Sequence, residues 1–243
     1  MSMITSVVGF EGIVMAADSA VSRHMVLDNA PLLLAAVKDE KLKELIFKNP
    51  ESNFCYTNTA SKIHLMKNGI AVSEGGQSQT TRGPIQPYLE YFYQTRDFNT
   101  PGEAAQALLE YVSKISPGTG MGFHVCGYDP PDKEFSIPVP RVFFVNCIEN
   151  TVTFLPKGET GIMQHAANDF IKPFSQQVAI NLRFFTLQDM IDFSIFAIKA
   201  SAMYEKFALL NNRIAGPIDI LVIKPGCIEW VSRKELQVEG NQI

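Results

Sequence analysis

The chain has 243 residues, enough for one large domain or two small ones, and its 46% hydrophobic and 19% charged content is that of a folded protein with a sizeable core. Its formal charge of −4 comes with scattered basic residues, which gives no electrostatic reason to expect a nucleic acid or an anionic membrane as partner. The four cysteines form no C-x-x-C pair, which argues against a zinc ribbon or a redox dithiol, and no cofactor is implied.

The first twenty residues read as a hairpin. "ITSVVG" (4–9) and "IVMAA" (13–17) are apolar runs broken at Glu11-Gly12. "MSMITSVV" has neither the basic flank nor the long apolar stretch of a signal peptide, and no segment reaches the ~18 apolar residues of a membrane span. The expectation is therefore a cytoplasmic protein whose cysteines are buried free thiols. Next, "PLLLAAVKDEKLKELIFKNP" carries Leu33, Val37, Leu42, Leu45 and Ile46 at helical spacing between Pro31 and Pro50. A second hairpin follows in "SKIHLMKNGIAVSEGG", turning at Asn68-Gly69, a dipeptide suited to positive φ at both positions.

Residues 78–97 and 102–115 read as two helices, with Thr100 as cap and Pro101 in the first turn of the second. "GFHVCGYD" and "RVFFVNC" are strands flanking the loop "PPDKEFSIPVP", and Glu149-Asn150 turns the chain into the strand "TVTFLP". Helices are expected over about 162–178 and 187–210, the latter capped by Thr186, and "PIDILVIKPGCIEWVS" closes with a hairpin at Pro225-Gly226. Strands, two helices, strands, two helices, strands is not the strict alternation of a parallel sheet. It predicts an α+β fold: a single-domain, four-layer αββα sandwich of two antiparallel sheets flanked by helix pairs.

The first hairpin, with Ala16-Ala17-Asp18-Ser19 after its apolar strand, resembles the start of proteasome β-type subunits and their bacterial ring-protease relatives, which are N-terminal-nucleophile hydrolases with this sandwich fold. In that family an aspartate follows the nucleophilic N-terminal residue at a set interval, and the same interval counted back from Asp18 lands on Ser2. The resemblance implies that loss of Met1 exposes Ser2 as nucleophile. In "SKIH", Lys62 matches the family's catalytic lysine, and in "AVSEGG", Gly76 matches its oxyanion glycine. "AGPIDILVIKPG" is similar to the family's final-strand motif. Two departures stand beside these matches: a helical insertion at about 25–58 separates Asp18 from Lys62, and Asn211 and Ile214 occupy the positions where many members carry an Asp and a Ser that hold the terminal amine. "KGETG" supplies no serine for the family's Gly-Ser-Gly turn.

The residues suit that chemistry. A terminal serine carries a nucleophilic hydroxyl and, in its α-amine with an ordinary pKa of about 7.7–8.0, a base. A lysine ammonium at Lys62, paired with Asp18, would favour alkoxide charge, and the Gly76 N–H would meet the oxyanion. The expected activity is hydrolysis of a peptide or small amide within a homo-oligomer; the alternative is a non-catalytic proteasome-like subunit serving assembly or binding. Each residue also has a plainer reading: Ser2 as a frayed second residue, Asp18 as a polar strand end, Lys62 as an exposed strand residue and Gly76 as turn punctuation. His24, His64, His124 and His165 show no metal-ligand spacing and read as structural, with His64 on the face of Lys62 if that strand is regular. "EGGQSQTTRGP" lacks a phosphate-loop pattern, and "YLEYFYQTRDF" reads as a helix packed on a sheet, with a subunit contact as its other use.

Overall fold

Strands that are apolar on both faces can be covered only from both sides, and here two antiparallel five-stranded sheets lie face to face with helices on each outer surface. The computed structural model describes residues 2–24, 54–57, 60–77, 79–80, 83–166, 170–178, 180–207 and 214–234. In chain order the described elements are β1 (Met3–Val8), β2 (Ile13–Ala17), β3 (Val21–His24), β4 (Phe54–Thr57), β5 (Ile63–Leu65), β6 (Ala71–Gly76), β7 (Gln79–Thr80), β8 (Gly83–Pro84), α1 (Gln86–Thr95), α2 (Pro101–Ile115), β9 (Met121–Asp129), β10 (Val139–Asn146), β11 (Thr151–Phe154), β12 (Gly161–Ala166), α3 (Ile171–Gln177), α4 (Leu187–Phe207), β13 (Asp219–Lys224) and β14 (Cys227–Ser232). One sheet runs β12-β1-β2-β13-β14 and the other β11-β10-β9-β6-β5.

Alternation along each strand builds three apolar layers. Met3 and Val7 of β1 pack with Ile198 and Met190 of α4, whereas Ile4 and Val8 meet Ala71, Cys126 and Val142 between the sheets. Val72, Phe123 and Val145 of the second sheet face Leu89 of α1 and Leu108 and Val112 of α2. Three polar residues of the central layer are joined to one another. Ser6 Oγ is hydrogen-bonded to His124 Nδ1 at 2.9 Å and accepts from Cys126 Sγ at 3.5 Å, so β1 and β9 are tied across the sandwich. Burial, and to a lesser degree the neighbouring His165, hold His124 down at about 3, so it is neutral near pH 7.

Local chemistry explains several boundaries. Asn68 (φ 59°) and Gly69 (φ 75°) make the turn between β5 and β6. Thr100 Oγ1 accepts from Glu103 N at 3.2 Å while Glu103 accepts from Asn99 N at 3.0 Å, capping α2 reciprocally. Thr186 and Asp189 do the same for α4.

Two expected helices begin later than the sequence suggests. Residues 79–80 and 83–84 form the small β7–β8 pair, with Gly83 at φ 116° followed by Pro84, so α1 starts only at Gln86. Residues 161–166 are strand β12, paired along β1 from Met3↔Ala166 to Val8↔Gly161. Ile162 and Met163 fall in different apolar layers, as adjacent strand residues do. The helix expected within 31–50 lies outside the described residues, and at the end of the 25–58 insertion Phe54–Thr57 is a strand paired with β3. Cys126 and Cys147 are buried free thiols, but Cys227 is exposed at the start of edge strand β14. Among the described residues no helix is long and apolar enough to cross a membrane, and no group of His, Cys, Asp or Glu is placed to hold a metal ion.

Candidate active site

The register of the first sheet brings one end of three strands together. Ile4 lies opposite Ala17 in the β1–β2 pair, and Ala17 lies opposite Asp219 in the β2–β13 pair, so residues 2–3, 18 and 219 gather at one edge. Asp18 and Met3 then exchange two hydrogen bonds: Asp18 N donates to Met3 O at 3.2 Å, and Met3 N donates to Asp18 Oδ1 at 2.9 Å. Ser2, immediately before this clasp, is 5% exposed. It is not frayed.

Lys62 arrives from the opposite sheet. The chain leading to it is docked by Ala60 N donating to Ser19 O at 3.2 Å, and Lys62 O accepts from Glu74 N at 2.9 Å. The Lys62 ammonium donates to Asp18 Oδ1 at 2.6 Å, with both side chains buried. It therefore shares its acceptor oxygen with Met3 N, the peptide nitrogen bonded to the carbonyl carbon of Ser2. The second oxygen, Asp18 Oδ2, accepts from Ala20 N at 3.1 Å and Ala215 N at 3.2 Å. Four donors saturate the carboxylate, as a buried charge requires.

Electrostatically the pair is unequal to its burial. Removal from water pushes Lys62 below the ordinary lysine value; attraction and hydrogen bonding from Asp18 and the nearby charge of Glu74 act against that shift, and the charge of Lys234 adds to it. A lysine so placed is buried and paired, and the plainer reading of an exposed strand residue does not hold for it.

Gly76 stands at the end of β6 with φ 107°, and a Cβ there would come within 2.0 Å of Gly120 O. Glycine is thus demanded by the approach of the β9 leader, whatever else its N–H does. His64 has different partners from Lys62. It stacks on Tyr93 with ring centroids 4.9 Å apart, accepts from Gln86 Nε2 at 3.4 Å and lies 3.8 Å from Glu74 Oε1. With Ser61, Tyr93, Trp230 and Arg233 it lines a cleft of about 270 Å³ beside the Lys62 segment. Asp18 also edges a mostly apolar hollow of about 510 Å³ between α4 and β13.

Of the two residues that stand where many members hold the terminal amine, Asn211 lies outside the described residues. Ile214 is a core residue, 3% exposed and packed with α4. The polar contact in that neighbourhood comes instead from a backbone amide, that of Ala215. Sequence reasoning also missed Ser19, Asp219 and Lys234. Ser19 Oγ donates to Pro217 O at 2.7 Å and accepts from Lys234 Nζ at 3.0 Å, and Lys234 pairs with buried Asp219. A charged residue following a strand carries no sequence signal for such a role.

No family model matches the chain, and no curated protein matches it in sequence. Among solved structures the fold is similar to Anbu (ancestral beta-subunit) from Yersinia bercovieri, with a TM-score of 0.58 and 14% identity over 91% of this chain and 80% of that one. It is also similar to a Gly-1 mutant of Anbu from Hyphomicrobium sp. strain MC1, with a TM-score of 0.61 and 14% identity over 96% of this chain and 87% of that one. These neighbours corroborate the proteasome-like fold and correct the resemblance to proteasome β-type subunits drawn from the sequence. They are a proteasome-like but distinct family, and the relation is a distant one. The motif behind that resemblance has a packing cause: Ala16 and Ala17 are fully buried on β2, a strand flanked by β1 and β13 and covered on both faces, where small residues fit.

Proposed function

We propose that this protein hydrolyses the amide bond of a peptide or small amide, with Ser2 as the N-terminal nucleophile exposed by cleavage of the Met1–Ser2 bond. The observation that carries this reading is the shared oxygen of Asp18: one carboxylate binds both the peptide nitrogen adjoining Ser2 and the buried ammonium of Lys62. A buried lysine held beside residue 2 is costly as mere structure and useful to a nucleophile.

In this reading the Ser2 hydroxyl gives its proton to the free α-amine, directly or through a water, and its oxygen attacks the amide carbonyl. Lys62 faces the developing alkoxide charge, and the Gly76 N–H donates to the oxyanion. Collapse breaks the C–N bond, and the leaving amine takes the proton held by the α-amine. Water then attacks the Ser2 ester, which returns the acid product and the free hydroxyl. Asp18 keeps Lys62 in place and charged through these steps.

Assembly as a homo-oligomer belongs to the same proposal. Phe184, Met203 and Phe207 on and before α4 are 81%, 58% and 73% exposed, and the Yersinia bercovieri neighbour is an ancestral beta-subunit. A cytoplasmic location is proposed with it.

The second reading, a non-catalytic subunit, is favoured by one observation: Ile214 packs into the core at the position expected to hold the terminal amine. Intact mass of the native protein and labelling by a peptidyl epoxyketone, which needs a hydroxyl and an amine on one residue, separate the two. Hydrolysis predicts loss of Met1, labelling at Ser2 and none in Ser2→Ala. Retention of Met1, or fully processed protein that no such probe labels, moves the conclusion to the non-catalytic subunit.

A further inference from the structure

Ser19 stands between two buried ion pairs. On one side its neighbour Asp18 holds Lys62. On the other, its hydroxyl accepts from Lys234 Nζ at 3.0 Å and donates to Pro217 O at 2.7 Å. Lys234, with its side chain 7% exposed, pairs with Asp219 Oδ2 and donates its backbone N–H to Asp219 Oδ1 at 2.9 Å. Asp219 is 1% exposed and lies opposite Ala17, next to Asp18. A second buried ammonium is thus built into the same edge of the sheet from a segment beyond β14. Neutralising Asp219 alone would not require that ammonium also to grip Ser19.

We propose that Lys234 is a positioning residue for the Ser2–Asp18–Lys62 site: by gripping Ser19 and Asp219 it fixes the segment that carries Asp18 and holds a second ammonium at the same edge of the sheet. The catalytic consequence rests on the amide-hydrolase reading; the electrostatic one does not. The charged groups acting on Lys62 are Asp18 at the end of β2, Glu74 on β6 and Lys234 after β14. The two carboxylates favour its charge, while Lys234 opposes it and so reinforces the effect of burial. Lys62 then releases its proton at lower pH than it would without Lys234, so Lys234 bears on the pH range in which Lys62 carries the charge that faces the alkoxide.

The test uses three variants of the whole, processed protein. Lys234→Arg keeps the charge. Lys234→Met combined with Asp219→Asn removes both members of the pair, so that neither charge is left alone, and Lys234→Gln takes its place if that protein does not fold. Ser19→Ala cuts the link and keeps every charge. Lys62 is titrated by NMR of protein labelled at the lysine side chain, assigned with Lys62→Arg, and epoxyketone labelling at Ser2 is followed against pH.

In the charge-removed variant Lys62 is expected to titrate at higher pH than in the wild type and the labelling profile to move the same way, while Lys234→Arg keeps both near the wild-type position. In Ser19→Ala labelling is expected to slow about tenfold, the order of loss that follows a small misplacement of catalytic groups. A folded charge-removed variant whose Lys62 titrates with the wild type overturns the electrostatic role, and undiminished labelling in Ser19→Ala overturns the positioning role. Absence of labelling in the processed wild type at every pH counts against the amide-hydrolase reading instead, and the NMR titration still decides what Lys234 does to Lys62.

Discussion

Replacing either member of the Asp18–Lys62 pair tests the site through folding stability, without reference to activity. Breaking a buried ion pair by removing one partner costs about 3–5 kcal/mol when the remaining charge is left uncompensated. Lys62→Met leaves Asp18 with three backbone donors at 2.9, 3.1 and 3.2 Å, which still solvate the carboxylate. The loss should therefore sit at the low end, about 3 kcal/mol, equivalent to a fall in melting temperature of about 6–12 °C for a chain of this size. Asp18→Asn is the harsher change. The amide nitrogen must face either Met3 N and Lys62 Nζ or Ala20 N and Ala215 N, donor against donor in both orientations, while the lysine loses its partner. About 5 kcal/mol or more is expected, a large share of the stability of a typical domain. Urea denaturation of both variants and of the double variant at pH 7 measures the order. A milder loss for Asp18→Asn than for Lys62→Met, or less than about 1 kcal/mol for either, would refute the reasoning, because it would mean that water, not the four donors, solvates the pair.

Other consequences follow from the same geometry. His124 is held at about 3 when folded against an ordinary 6.5, so the unfolded chain takes up its proton first and stability is lost as pH falls from about 6.5 toward 3; that amounts to about 2 kcal/mol from this residue at pH 5, and equal pH slopes for wild type and His124→Gln in denaturant titrations would contradict it. Gly76→Ala should cost on the order of 3 kcal/mol or more, because the φ of 107° and the contact with Gly120 O act together; a folded variant of wild-type stability would show that β6 and β9 yield there. Burial pushes Cys126 and Cys147 up to about 12, so mass spectrometry after brief treatment with a thiol reagent should find both unmodified in the native protein and modified once it is unfolded.

What could be read without coordinates was local. Asn68-Gly69, Thr100 with Glu103, and Thr186 make their turns and caps with neighbours three or four residues away, and those contacts formed where expected. The strand at 161–166 was misread as helix because Ile162 and Met163 satisfy either period over so short a run. Its identity comes from β1, which lies about 160 residues earlier. The site divides in the same way. Asp18 and Lys62 were legible through a resemblance of order and spacing, whereas Ala215 acts through a backbone amide that any residue would supply. Lys234 reaches Asp219 and Ser19 from beyond β14, and only the folded sheet brings them together.

Three of the four donors to Asp18 lie 15, 44 and 197 residues along the chain from it. A chain growing from its N-terminus makes β1 and Asp18 first and Lys62 44 residues later, but the strand on β2's other edge and the amide of Ala215 follow Asp18 only after close to 197 residues. Until that moment Asp18 has too few donors for burial and the lysine too little support to stay in place. The geometry around Ser2 therefore forms only once the residues around β13 have been made, so a chain cut short before Ala215 would present residue 2 without its electrostatic setting.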